Sequence, residues 1–191
     1  ATDKVAADAL TTVFEPTLNA LSHDDSLFKG LLYAGLMLTS DGLKVVEFNC
    51  RFGDPETQVV LPLLESSLLE LLGTVAEGGS LRGWEARHRP AAAVTTVVAS
   101  SGYPGSYEKG KPITIPETLE NDGLVVFHAG TQLENNSLVT SGGRTLAVTA
   151  TADTFSAAAD MSRDGAAQIE FEGSFFRADI GWRERARMET K

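Results

Sequence analysis

Residues 45–56 read VVEFNCRFGDPE. Within that stretch Glu47, Asn49 and Arg51 stand at every second position, with Phe48 and Cys50 between them. In an extended strand, side chains i, i+2 and i+4 share one face. If the strand runs extended to position 51, one face carries a carboxylate, an amide and a guanidinium. The other face, Val46, Phe48 and Cys50, is apolar and is expected to pack into a core. Carboxylate and amide oxygens are hard ligands that suit Mg²⁺, which takes one or two protein oxygens and fills its other positions with phosphate and water. The arginine fork matches phosphate or carboxylate. An ion that neutralises bridging phosphates, beside an arginine that holds the anion, is a phosphoryl-transfer constellation. The same alternation also fits a half-solvated strand that does no chemistry, and spacing alone names no reaction.

The flanking residues set the elements that must position this face. Gly53 lets backbone approach a ligand closely. Asp54 is expected to cap a helix with Pro55 in its first turn, where no donor is missed. The N–H groups at such a start would offer a second anion site. Pro62 should end or bend that helix. Ser67 and Glu70 have capping-box spacing for the next one, with Leu68, Leu69, Leu71, Leu72 and Val75 as its buried face and an end near Gly78 and Gly79. Upstream, residues 3–21 place apolar side chains at helical spacing, interrupted or ended near Pro16. LLYAGLML, residues 31–38, reads as a buried strand. Asp41-Gly42 is a hairpin signal, so residues 43–50 return as the second strand and carry Glu47 and Asn49.

Residues 80–90 are polar and broken by Gly83 and Pro90, which marks a boundary. Beyond it the texture changes to strands and turns: AAAVTTVVAS, KPITIP, LVVFHAGTQL and SLVTSGGRTLAVTATA, then a helix near 154–168. The fold class is α+β in two parts, 1–85 and 86–191, the second with a mostly antiparallel sheet. Ser141, Gly142, Gly143 and Arg144 read as a hairpin turn with a surface arginine, against an anion-contacting loop. Cys50 reads as a small packed residue. His23, His88 and His128 lack zinc-ligand spacing; His128 reads as a core or domain-contact residue. Residues 179–183, DIGWR, read as an edge segment with a packed tryptophan, and Tyr103-Pro104-Gly105 as a tight turn.

Composition narrows the classes. The chain has 191 residues, 42% of them hydrophobic, so a core can form. A formal charge of −10 argues against a nucleic-acid surface, which needs basic patches. With one cysteine no intrachain disulfide forms, and a reducing, cytoplasmic setting is expected. No apolar run reaches the length of a membrane span, and residues 1–10 do not read as a signal peptide.

Six segments, FKGLLYAGLML, VVEFNCRFGDPETQ, SGYPGSYEKG, VFHAGT, TSGGRTLAVTA and FFRADIGWR, closely resemble glycinamide ribonucleotide synthetase (phosphoribosylamine–glycine ligase) of the ATP-grasp superfamily. The resemblance runs in order over residues 14–185. It implies that 1–85 is the C-terminal lobe of an ATP-grasp domain and 86–191 a small α+β domain. It also implies ATP-dependent ligation of glycine to 5-phosphoribosylamine through a glycyl phosphate, giving glycinamide ribonucleotide, ADP and phosphate in purine synthesis. By the same resemblance Glu47 and Asn49 ligate the Mg²⁺ (or Mn²⁺) that bridges ATP phosphates. Arg51 contacts the transferred phosphate or acyl phosphate, and Gly53, Asp54 and Glu56 meet glycine or the ribosylamine. Only the second half of such an enzyme is matched, so the chain is expected to be a fragment, a split subunit or part of a protein whose N-terminal half is a partner. Ser66 and Ser67 stand where the family has an acidic residue. The alternatives are a non-catalytic assembly or binding module that keeps the fold, and an ATP-grasp ligase acting on another acid.

Overall fold

The computed structural model describes residues 3–23 and 26–189. They form two compact units, Ala1–Gly53 with Ser67–Glu85, and Asp54–Ser66 with Ala86–Lys191. The sequence reading placed 54–66 in the first part. Hydrogen bonds explain the exchange: Glu65 N–H donates to Arg87 O at 2.8 Å, Arg89 N–H to Leu63 O at 2.8 Å, and Arg87 N–H to Ser66 Oγ at 2.8 Å. No helix among the described residues is long and apolar enough to cross a membrane.

The first unit opens with α1 (Asp3–Ala9), a π-helical turn over Leu10–Phe14, and α2 (Glu15–His23). Pro16 has no N–H and its ring crowds the carbonyl four residues back. The helix answers with a wider turn just before it, in which Glu15 N–H reaches Leu10 O, and continues instead of ending. β1 (Tyr33–Thr39) and β2 (Gly42–Asn49) pair antiparallel. Their two-residue loop is held by Thr39 Oγ1, which donates to Gly42 O at 2.9 Å and accepts from Asp41 N–H at 3.2 Å. Helix α4 spans Leu68–Ala76, with Ser67 as its cap accepting from Glu70 N–H at 3.2 Å. It closes with Gly78 at φ +75°. Gly79 N–H then returns to Thr74 O at 2.8 Å and Gly78 N–H to Val75 O at 3.1 Å, the paired bonds of a glycine-terminated helix.

In the second unit, α3 is a single turn, Thr57–Val60, followed by a 3₁₀ turn Leu61–Leu63 that contains Pro62. β3 (Ala92–Ser100), β4 (Leu124–His128), β7 (Arg144–Ala152) and β8 (Ser174–Phe176) form an antiparallel sheet in the order β4-β7-β3-β8. β5 (Thr131–Glu134) and β6 (Ser137–Thr140) form a hairpin. Asn135 and Asn136 close it with φ of +49° and +64°, the left-handed pair that matches strand twist. KPITIP makes only isolated bridges, Pro112 to Val139 and Thr114 to Glu170. Helix α5 (Phe155–Ala166) is capped by Thr154 and packs on β3 and β7. DIGWR, read as an edge segment, instead leads into helix α6 (Trp182–Glu189), where Trp182 is exposed beneath Arg183.

The core is built by Val98, Leu124, Leu146, Val148, Ile169 and Phe171 and their neighbours. Polar side chains run through it fully satisfied: Thr96 Oγ1 and Ser162 Oγ lie 2.7 Å apart, and Ser162 Oγ donates to Val148 O at 2.8 Å. Both residues are sealed from solvent. Ser162→Ala leaves the Thr96 hydroxyl without that partner and is expected to cost about 1–3 kcal/mol. Adding Thr96→Val should recover part of the loss, since both polar groups are then gone. Urea unfolding of the single and double variants checks both.

Candidate active site

Glu47 and Asn49 share one face of β2. Asn49 Nδ2 donates to Glu47 Oε1 at 3.0 Å, a bond that uses neither Asn49 Oδ1 nor Glu47 Oε2. Opposite them on β1 stand Gly35, paired with Glu47, and Tyr33, paired with Asn49. A Cβ at position 35 would come within 3.1 Å of Glu47 Cγ, so glycine leaves the carboxylate its room. Between Gly35–Glu47 and Leu36–Val45 the register slips by one residue, leaving Val46 as an extra residue on β2. Such a bulge bends the strand and re-aims its side chains. Two oxygen donors on one face suit the small protein share of a Mg²⁺ shell, so the residues present fit the ion. Among the described residues no group of three or more His, Cys, Asp or Glu is arranged to hold a metal.

The alternation does not extend to Arg51. β2 ends at Asn49, and residues 50 and 51 form a bend. The Arg51 guanidinium turns along the chain, donating from Nη1 to Phe52 O at 2.8 Å. The apolar face is not buried either: Val46 is 67% exposed, Phe48 is exposed, and Cys50 is an exposed free thiol instead of a packed one. β1, expected to be buried, exposes Met37 and Leu38, and α4 exposes Leu69 and Leu72. Within the first unit this hairpin is a two-stranded sheet, and several of its apolar side chains stand exposed.

Gly53 is buried and Glu56 is exposed at the start of α3. The expected helix start at Asp54-Pro55 is not formed. That peptide is cis, residues 54–56 make a turn, and helical geometry begins with a single turn after Glu56. A four-residue helix offers no N-terminal anion site. Asp54 makes tertiary contacts in place of a cap. Its Oδ1 accepts from Gln58 Nε2 at 3.2 Å and its Oδ2 from Arg144 Nη2 at 2.7 Å. Arg144 Nη1 reaches Asp54 O at 3.3 Å.

Nothing in the sequence links positions 54 and 144. Of the two readings of residues 141–144, the structure supports a turn with internal bonding. Ser141 and Gly142 N–H both donate to Gly130 O, at 2.7 and 3.1 Å, and Ser100 N–H donates to Gly143 O at 2.8 Å. Two rings lie against Gly143, so that a Cβ there would meet Tyr103 Cδ2 at 2.3 Å and Tyr107 Cε1 at 2.8 Å. The SGYPGSY and SGGR segments therefore pack together. His128, read as a core or contact residue, is exposed, with Nδ1 3.0 Å from Thr131 Oγ1. A separate cavity of about 430 Å³ is lined by Ser100, Ser106, Tyr107, Lys111 and Glu172 among others. Lys111 Nζ lies 2.8 Å from Glu108 and 3.0 Å from Glu172. Hydrogen bonds donated by Lys111 to these carboxylates hold its ammonium above the usual lysine range, and the Lys111 bond holds Glu108 below the usual carboxylate range.

The chain is similar to known proteins over most of its length. The family model described as phosphoribosylglycinamide synthetase, ATP-grasp (A) domain, matches residues 1–57, and that described as phosphoribosylglycinamide synthetase, C domain, matches residues 93–183. The trifunctional purine biosynthetic protein adenosine-3 of Homo sapiens is 47% identical over 175 residues, covering 90% of this chain and 17% of that protein. The phosphoribosylamine–glycine ligase of Rhizobium meliloti (strain 1021) is 43% identical over 187 residues, covering 97% of this chain and 44% of the ligase. The crystal structure of the phosphoribosylamine–glycine ligase of Thermotoga maritima superposes with a TM-score of 0.80 at 33% identity, over 94% of this chain and 44% of that one. The chain thus spans less than half the length of the relatives it matches. The antiparallel hairpin and the α+β unit that follows it in sequence are part of an ATP-grasp protein. Within that class the chain belongs to the phosphoribosylglycinamide synthetase family.

Gly143→Ala drives a methyl group into the Tyr103 and Tyr107 rings and is expected to destabilise the second unit by about 1–3 kcal/mol. Its thermal unfolding midpoint, compared with the parent chain, measures this.

Proposed function

We propose that this chain supplies the metal-holding strand and the adjoining domain of a ligase that joins glycine to 5-phosphoribosylamine at the expense of ATP. The observation that carries the reading is the Glu47–Asn49 face, two oxygen donors aligned by a 3.0 Å bond over Gly35, in a chain both synthetase models match. A carboxylate oxygen of glycine attacks the γ-phosphorus of ATP, and the bond from that phosphorus to the bridging oxygen of ADP breaks. The amine of phosphoribosylamine then attacks the carbonyl carbon of glycyl phosphate. The amine loses a proton, phosphate leaves, and glycinamide ribonucleotide remains.

Mg²⁺, with Mn²⁺ as a substitute, would neutralise the bridging phosphates and lower the barrier to their separation. Glu47 Oε2 and Asn49 Oδ1 are the atoms that would hold it. Arg51 meets the phosphate being transferred once its guanidinium leaves the Phe52 carbonyl. Gly53, Asp54 and Glu56 are assigned to glycine or the ribosylamine; the Asp54 carboxylate suits an amine. The grip on adenine and the remaining phosphate contacts belongs to the part of the ligases that this chain does not match. The exposed Cys50 thiol suits a reducing compartment, and we place the reaction in the cytoplasm.

The test is a ligase in which this chain replaces the matching 44% of the Rhizobium meliloti enzyme. ADP release should require both glycine and phosphoribosylamine; release without either, or none at all, overturns the reading. Glu47→Gln and Asn49→Ala should each lower kcat/KM by roughly 100-fold or more, the loss of a few kcal/mol of charge stabilisation. Full activity in both variants overturns the metal assignment. Gly35→Val, which crowds Glu47, should raise the Mn²⁺ concentration needed for half-maximal activity by about ten-fold or more.

A further inference from the structure

The Asp54–Arg144 contact joins residues 90 positions apart and engages Asp54 twice, at its carboxylate and at its own carbonyl. A surface ion pair between two free side chains contributes little. This one differs because both partners are fixed from behind. On β7 the register against β3 slips between Ala99–Arg144 and Val98–Leu146, so Thr145 is an extra residue. Thr145 is fully buried. Its hydroxyl lies 3.2 Å from Ser100 Oγ and donates to Gly142 O at 3.3 Å, which pins the bulge. Gly130 N–H holds the Arg144 carbonyl at 3.0 Å. A Cβ on Gly130 would meet that oxygen at 2.6 Å, so the turn closes only with glycine there. The Tyr103 and Tyr107 rings cover Gly143 from the other side. A bulge at a strand end is a means of re-aiming a side chain, and here it turns Arg144 toward the Asp54 turn.

We propose that Arg144 is a positioning residue. It fixes the conformation of the 54–58 turn, and so the direction in which the Asp54 carboxylate is presented. Arg144 holds Oδ2 and the carbonyl, while Gln58 holds Oδ1. Asp54 and Arg144 remain 39% and 38% exposed at the side chain, so the pair stays open to a solute. For the ligase reaction this rests on the assignment of Asp54 to an amine-bearing substrate made above; the positioning itself does not. A lysine at 144 is a point charge that cannot span carboxylate and carbonyl together.

Two measurements test it. In the 191-residue chain, Arg144→Ala should speed amide hydrogen exchange in residues 54–60 at least about five-fold, with β3 and β7 unchanged, and Arg144→Lys should fall between. Equal exchange in all three overturns the positioning. In the ligase carrying this chain, Arg144→Ala should raise KM for glycine or for phosphoribosylamine by roughly 10- to 100-fold, with KM for ATP within about two-fold. Arg144→Lys should restore part of it. In an Asp54→Ala background Arg144→Ala should add less than about two-fold, because it acts through Asp54. A full additional loss there overturns the proposal. If the parent ligase shows no glycine-dependent turnover, the functional reading fails alone, and the exchange result still decides the positioning.

Discussion

The pairing of β3 with β7 is the interaction on which the second unit depends. These two strands form the middle of the four-stranded sheet, carry its most deeply buried side chains, and receive α5 on one face. Because β7 also pairs with β4 and β3 with β8, a change in their register would move both outer strands. The single slip in that register, at Thr145, is where the pairing stops being only a scaffold. It turns the sheet's end toward Asp54 while three hydroxyl-bearing residues, Ser100, Thr140 and Thr145, keep their polar atoms bonded in the interior. A buried bulge with unsatisfied groups would be costly; this one leaves none of those side chains without a partner.

The first unit follows a different rule. Its hairpin is narrow, and a two-stranded ribbon buries little. Its register slip at Val46 and the glycine at 35 serve the direction of Glu47 more than they serve packing. The two units thus share a device: a strand with one extra residue, and a glycine where a polar side chain or a backbone needs room. In the first unit the device serves Glu47, and in the second it serves Arg144.

The family was legible because its motifs are contiguous segments of the sequence. The Glu47–Asn49 face follows from strand period two, the Ser67 cap from its spacing to Glu70, and the β1–β2 hairpin from Asp41-Gly42. Local rules failed where a tertiary partner competed. Asp54 has the type and place of a helix cap, but an arginine 90 residues away outbids the local N–H groups for its carboxylate. At Pro16 the local rule held in part: the expected interruption is present as a π-helical turn, and the helix continues past it. Cys50 and Phe48 were expected to be packed, yet both are exposed, Phe48 on β2 and Cys50 just past the strand's end at Asn49.

What the amino-acid order determined unaided is which groups share a face, where helices begin and where chains turn, since those depend on neighbours within a few residues. What only the folded chain decided is which of those groups meet. The slip at Thr145, the rings over Gly143 and the partner of Asp54 all arise from surfaces brought together across long separations, where packing and hydrogen-bond satisfaction outweigh local preference.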